Sequence, residues 1–452
     1  MLNYFYDNSA VSNLSVNAHQ SELRKINYFA DPMLRLKRAV WIYFFLLIFE
    51  GALRKWVFPG LATPLLIIRD PIALWLILVS WKRGLLRMNP FLFLMILIGI
   101  ISTFTALFLG HGNFLVAAFG ARILMIHFPL IFVIGRIFAR ADVIKLGKVC
   151  LWISIPMTVL ITLQFYSPQS AWVNRGIGGD ISGGGFDGAL GYYRPPATFS
   201  FTNGTTLFYS FCAPFIFYFW LNRKNRSNLM VIAATISLLV AIPLSISRGL
   251  FFSVAVTSVF SIMAIFRKPK YIRGMLLICM GALVAIFFFN KTSFFETATQ
   301  AFSSRFENAN KAEGGVKGVL GDRYLGGMVA ALTQSSGLPL FGYGIGMGTN
   351  VGGMLLTGKN VFLISEGEWG RLIGEMGTLL GLSAIFLRLG VCAKILIACY
   401  KKLVLGDLLP WMLLSFALLQ IPQGQWAQPT SLGFSTIIGG IIIASCRFSS
   451  ER

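Results

Sequence analysis

The sequence predicts an all-α polytopic membrane protein of about twelve transmembrane helices with two large extracytoplasmic loops. Three observations carry this reading. Of 452 residues, 56% are hydrophobic and only 12% charged, too few charges to cover a water-soluble fold of this size. Apolar runs recur along the whole chain, each long enough to cross a hydrocarbon core of roughly 30 Å as a helix. The basic residues behind the net charge of +22 gather in short stretches between those runs, which fits cytoplasmic loops and excludes a nucleic-acid surface as the main reading.

Residues 1–38 are polar and basic and lack an apolar core ending in a small-residue cleavage site, so they are expected to remain as a cytoplasmic tail. Spans are then expected near 39–53, 61–80, 90–109, 114–138, 148–166, 205–221, 229–247, 249–266, 274–289, 371–392, 408–427 and 431–446. Together 39–446 make one transmembrane domain, followed by a short tail at 447–452. With the amino terminus inside, most Lys and Arg fall on the cytoplasmic side, Arg388 and Lys394 among them, and both termini lie there. All six cysteines sit in or beside apolar runs, where packing rather than disulfide chemistry is expected.

The two long connections, 167–204 and 290–370, fall on the outer side. Each is glycine-rich (GIGGDISGGGFDGALGYYRPP and FGYGIGMGTNVGG) yet keeps aromatics and paired charges, which points to ordered lids or platforms over a cavity. No repeat relates the two halves, which weakens a transporter built from duplicated bundles.

A charge in a spanning segment costs at least about 2.5 kcal/mol, so each needs a partner or a water-filled cavity. In FEGALRKWVFP, Glu50 and Arg54 share a helix face, with Lys55 and Trp56 at the interface; ion pairing with snorkelling competes here with ligand binding. Arg69 and Asp70 read as a structural pair before Pro71, where the helix can break. Arg122 has no local carboxylate and is the intramembrane candidate for a substrate anion, whereas His127 reads as a packing residue. No histidine, cysteine or carboxylate spacing suits a metal.

Arg248 in SISRGLFF sits at a tight turn between two runs, with serines and Gly249 offering backbone donors to a phosphate. Arg194 ends the first loop in YYRPPATFSFTNG, where Asn203 and Thr205 are placed to cap the next helix. In SEGEWGRLIGEMG, Glu366, Glu368, Arg371 and Glu375 surround a helix start; capping of that helix competes with a catalytic role for Glu366 and Glu368. Outer-face arginines beside carboxylates suit a pyrophosphate-bearing substrate with no metal or other cofactor: guanidiniums hold the phosphates, and a carboxylate takes a proton from an acceptor hydroxyl.

Three stretches, RPPATFSFTNG, SISRGLFF and the run from DRYLGGMVAAL through LPLFGYGIGMGTN to GEWGRLIGEMGTLLGLSAIF, resemble the O-antigen polymerase and ligase superfamily of bacterial membrane glycosyltransferases, the Wzy and WaaL type. The resemblance is strongest from Arg194 to Gly381, and FEGALRKWVFP is similar to members from exopolysaccharide loci. It implies an enzyme of the inner membrane that transfers glycan, with inversion, from a polyprenyl-pyrophosphate-linked donor to another glycan's hydroxyl. Membrane lipids, a chain-length regulator and a flippase would be its partners. By resemblance Arg194, Arg248 and Arg323 contact the donor phosphates or line its cavity. Ligases of this type commonly carry a histidine near the returning helix. This chain has none between Arg194 and that helix and offers Glu366 and Glu368 instead, which favours a polymerase with Glu368 as the base. A ligase, a lipid-linked oligosaccharide flippase and a non-catalytic export scaffold are the competing readings.

Overall fold

The computed structural model describes residues 32–222, 227–267, 293–313, 337–359 and 361–447, with isolated positions at 269, 272, 276, 280, 281, 329 and 333. The described chain is helical apart from one two-stranded hairpin, and eight of its helices are long and apolar enough to cross a membrane. It is an all-α membrane protein. Two further apolar helices, α9 (Asn228–Leu244) and α14 (Leu408–Gln420), are shorter, and the expected span 274–289 lies almost wholly outside the described residues.

The first helix, α1 (Pro32–Ala52), begins inside the stretch expected to be tail, with proline at its first position where a missing N–H costs nothing. It continues into a π-turn at Leu53–Val57. The expected span 61–80 is two pieces, α2 (Ala62–Leu65) and α3 (Arg69–Lys82). The break precedes Arg69, so Pro71 falls in the first turn of α3 and interrupts no helical bond. Then come α4 (Pro90–Phe108), α5 (Phe114–Arg122), a π-turn at Ile123–His127, α6 (Phe128–Ile137) and α7 (Arg140–Tyr166). Asn89 and Asn113 cap α4 and α5 by accepting backbone N–H bonds.

The first loop carries the hairpin β1 (Phe186–Ala189) and β2 (Tyr192–Arg194), turning through Leu190 and Gly191, both at positive φ. After it, α8 (Thr202–Leu221) is the axis of the bundle. Its apolar stretch is 94% buried, against 22% for α10 (Arg248–Arg267), which lies toward the outside of the described bundle. The remaining helices are α11 (Ser293–Glu313), α12 (Asn350–Thr357), α13 (Glu368–Val404) and α15 (Pro429–Cys446). Small residues allow the closest packing: a Cβ on Gly440 would lie 2.5 Å from Ile134, where α15 crosses α6.

Contacts group the helix ends as an alternating path requires. Lys37 pairs with Asp142 at 2.7 Å, Arg140 pairs with Asp407, and Arg447 donates to the carbonyls of Gly135 and Arg136. These residues gather at one end, which is rich in Lys and Arg.

The expected span 371–392 is corrected. Within α13, Gly377 has φ 74° and ψ 175°, and the chain folds back into two arms, 368–376 and 378–404. A Cβ on Gly381 would lie 2.7 Å from the Leu372 carbonyl oxygen, whereas a straight helix would hold these residues roughly 13 Å apart. Gly377 is required twice over, by its left-handed φ and because a Cβ there would meet Leu340 O at 1.9 Å.

Candidate functional site

The polar residues picked out by sequence converge in three clusters, two buried in the bundle and one beside the hairpin.

The first cluster joins α1, α3, α5 and α15. Glu50 accepts from Arg54 at 3.3 Å, as their four-residue spacing predicts, and also from Arg69 at 3.2 Å. Asp70 accepts from Arg122 at 2.5 Å and from His127 Nε2 at 3.0 Å. Arg69 and Asp70 are thus not each other's partners, and Arg122, which lacks a local carboxylate, finds one 52 residues away. Because His127 Nε2 faces a carboxylate, it carries the proton, and Nδ1 accepts from the Tyr43 hydroxyl at 3.0 Å. Three guanidiniums face two carboxylates here, leaving one positive charge in excess. Arg69 Nη1 presses on Gly433 and has no hydrogen-bond partner among the described residues.

The same part of α1 supports the irregular segment before α8. A Cβ on Gly51 would lie 2.4 Å from the Phe199 and Ser200 backbone, so glycine alone permits this approach. Arg54 reaches Ser200 Oγ at 2.9 Å, Thr198 bonds Ile48 O at 2.6 Å, and the buried Lys55 donates to Ala197 O at 2.5 Å. Ala197 holds a positive φ of 53°, a strained state for a residue with a Cβ, and its N–H is taken by Gln164 at 2.8 Å. Non-helical backbone at this depth needs such burial within protein. FEGALRKW and RPPATFSF are therefore two halves of one structural unit.

The second cluster lies across the fold-back of α13. Glu368, with its side chain 1% exposed, accepts two bonds from Arg371 at 2.7 and 3.1 Å, one from Arg388 at 2.7 Å, and one from the Trp426 N–H at 3.0 Å. Arg371 also pairs with Glu375 at 2.5 Å, and Glu375 in turn accepts from the Gly348 N–H at 2.8 Å. Two carboxylates balance two guanidiniums. Arg388, expected in a cytoplasmic stretch, is instead fully buried and stacked 3.8 Å over Trp426. Glu368 sits in the first turn of α13, where the helix dipole favours an acid, while the N-cap is Gly367 and makes no side-chain bond.

The glycine run of the second loop is packed inside this unit. Tyr343 and Gly344 donate to the Gly374 and Glu375 carbonyls at 2.8 and 2.9 Å. A Cβ on Gly346 would lie 2.0 Å from Val116 O, so α5 grips the run from its other side. His111 fixes it: Nδ1 accepts from Asn113 N–H at 3.0 Å, so Nε2 carries the proton and donates to Ile345 O at 3.1 Å.

The third cluster surrounds the hairpin. Arg194 ends β2, and Arg248 opens α10 after Ile246, which has φ 45°. A Cβ on Gly188 would touch both Ile246, at 2.7 Å, and the Arg194 side chain, at 3.5 Å. The Gly188 carbonyl accepts from Arg305 of α11 at 2.7 Å, and Phe302 and Phe306 seat α11 on Phe251 and Phe252. Arg194 and Arg305 thus both reach Gly188 of the hairpin, and Arg248 follows Ile246, which packs there, by two residues. Arg323 lies outside the described residues.

Asn203 and Thr205 do not cap α8. Thr205 bonds Pro195 O at 3.0 Å, and Asn203 bonds Gln428 at 3.2 Å. Gln428 belongs to the connection 421–428, which together with Pro429 at the start of α15 meets both buried clusters: Arg69 bonds Pro429 O at 2.7 Å, Trp426 bonds Glu368, and Gln425 bonds Glu366 O at 3.0 Å.

Sequence reasoning missed Arg305, Arg388 and this glutamine-rich connection. Arg388 was detectable, because FLRLG sets an arginine among apolar residues well before Lys394 and Lys401. Arg305 had only the helical spacing of Phe295, Phe302 and Phe306 to signal that its helix packs against others. Among the described residues no group of His, Cys, Asp and Glu is arranged to hold a metal. No known protein family matches the chain, and no curated protein shows detectable similarity to it.

Proposed function

We propose that this protein is a polysaccharide polymerase acting on polyprenyl-pyrophosphate-linked oligosaccharide repeats at the outer face of a bacterial inner membrane, with both termini in the cytoplasm. The observation that carries the reading is that Arg194 and Arg305 both reach Gly188 of the loop-borne hairpin, with Arg248 two residues beyond the Ile246 that packs there, at the opposite end of the bundle from the Arg140–Asp407 pair. Arginine forks suit the paired phosphates of such a donor and stabilise the charge that develops when they leave.

In this mechanism an acceptor sugar hydroxyl attacks the anomeric carbon of the donor. The bond from that carbon to the pyrophosphate oxygen breaks, the carrier pyrophosphate departs against the arginines, and a carboxylate takes the hydroxyl proton. Glu368, the base expected from the sequence, has its oxygens occupied by four donors, so we assign it to holding the α13 fold-back. Glu366, exposed two residues earlier and in no ion pair among the described residues, is the carboxylate to which we assign the proton transfer.

The test is deletion of the gene and complementation with wild type, Arg248→Ala or Arg305→Ala, with lipid-linked and exported glycans resolved by size. Single repeats accumulating on their carrier in the outer leaflet support the reading. Full-length polymer retained on its carrier indicates a ligase, and repeats trapped on the cytoplasmic leaflet a flippase. Normal polymer from Arg248→Ala or Arg305→Ala removes that residue from the site, and normal polymer from both would fit a scaffold.

A further inference from the structure

We infer that a cleft at the basic end of the bundle, between α4, α6, α13 and α15, binds an anionic glycerophospholipid of the surrounding leaflet. The cleft has a volume of about 320 Å³. Its walls are apolar, formed chiefly by Phe91, Phe132, Val391, Ile395 and Ile443, and its charged residues are Lys394 and Arg447. Both cations are exposed, and neither forms an ion pair among the described residues.

Each cation is held in place. Lys394 Nζ lies 4.6 Å over the Phe91 ring, and Arg447 Nη1 donates to the Gly135 and Arg136 carbonyls at 3.0 and 2.6 Å. No carboxylate lines the cleft, so the charge complement is anionic; the apolar walls call for an acyl chain rather than a free ion. A second cavity at the same end, of about 300 Å³, differs on this point, because Asp407 lines it and neutralises Arg140. Basic pockets between transmembrane helices at the headgroup level are where anionic lipids bind. An acyl chain lies along Phe132, Ile395 and Ile443, with the phosphate against Lys394 and Arg447. This inference needs only the membrane placement of the chain and stands apart from the polymerase reading.

The experiment is native mass spectrometry of the full chain in detergent, titrated with dioleoylphosphatidylglycerol or dioleoylphosphatidylcholine. Wild type should take up the anionic lipid at a concentration lower by on the order of tenfold. The Lys394→Gln/Arg447→Gln variant should take up the two lipids alike. Ile443→Trp, which fills the cleft and keeps both cations, should weaken uptake of the anionic lipid. Equal uptake of the two lipids by wild type, retained preference in the double variant, or full displacement by millimolar inorganic phosphate would overturn the proposal. Only the folded, monodisperse species is scored, so a poorly folding variant is replaced by Lys394→Gln alone, for which a halfway loss of preference is expected and an unchanged preference is fatal.

Discussion

Removing Arg388 tests the charge balance of the second buried cluster most directly. Arg388→Met keeps much of the side-chain volume but leaves Glu368 and Glu375 sharing Arg371 alone, so one negative charge stays buried without compensation. Breaking a buried ion pair in this way costs about 3–5 kcal/mol, a large part of the 5–15 kcal/mol that holds a typical fold. Glu368→Gln makes the opposite error and leaves one positive charge in excess, at a similar cost. The double variant restores neutrality: Arg371 keeps Glu375, and the side-chain amide carbonyl introduced at position 368 still accepts from the Trp426 N–H. The two losses should therefore be strongly non-additive, with at least about 2 kcal/mol recovered. Detergent-solubilised protein scored by thermal unfolding should rank wild type first, the double variant second and both single variants clearly lower. A double variant as unstable as the sum of the singles would refute the reasoning, because Glu368 and Arg388 would then act independently across the fold-back.

Other expectations follow from single contacts. Gly51→Ala should prevent accumulation of monodisperse protein, because its Cβ would lie 2.4 Å from the Phe199 and Ser200 backbone; Gly60→Ala, which meets nothing within 4 Å, should be silent in the same assay. Glu366→Gln should abolish polymer at an unchanged unfolding temperature, whereas Glu368→Gln should lower that temperature; the reverse pattern would return Glu368 to the chemistry. The Cys399 and Cys446 sulfurs lie 3.6 Å apart, so copper phenanthroline should oxidise them to a disulfide that joins α13 to α15. Thiol alkylation and intact-mass measurement would show the loss of two hydrogen atoms, their electrons taken by the copper complex, which Cys446→Ser should prevent.

Much of the fold was legible because lipid imposes it. A run of apolar residues long enough to span must close its backbone bonds internally, so the positions of α4 and α8 follow from hydropathy, with Asn89 and Pro90 marking the start of α4. The fold-back at Gly377 was not legible, since MGTLLG is as apolar as the helix that follows it and a left-handed glycine leaves no trace in hydropathy. Partners distant in sequence were equally hidden. The spacing of Glu50 and Arg54 announces their pairing, but nothing local ties Asp70 to Arg122 or Glu368 to Arg388. The glycine run misleads for a physical reason: glycine in a loop suggests freedom, yet here it permits backbone-to-backbone packing between α5 and α13.

That packing changes how the two long loops would relate to the chemistry proposed above. A mobile lid would close on substrate and carry its own residues to it, whereas residues 341–349 are bonded to Gly374, Glu375 and His111 and cannot move without unfolding those contacts. The strained Ala197 is likewise held from two sides, by Lys55 and Gln164. The cost of ordering these segments is thus met during folding, and the polar groups beside them are fixed before any ligand arrives. Such preorganisation suits the stabilisation of a departing pyrophosphate, which needs donors already aimed at the charge as it forms. It also explains why buried ion pairs, weak contributors to net stability, are retained here: Glu50 and Glu368 each tie together segments distant in sequence, and both networks end on the short stretch from Trp426 to Pro429 that leads into α15.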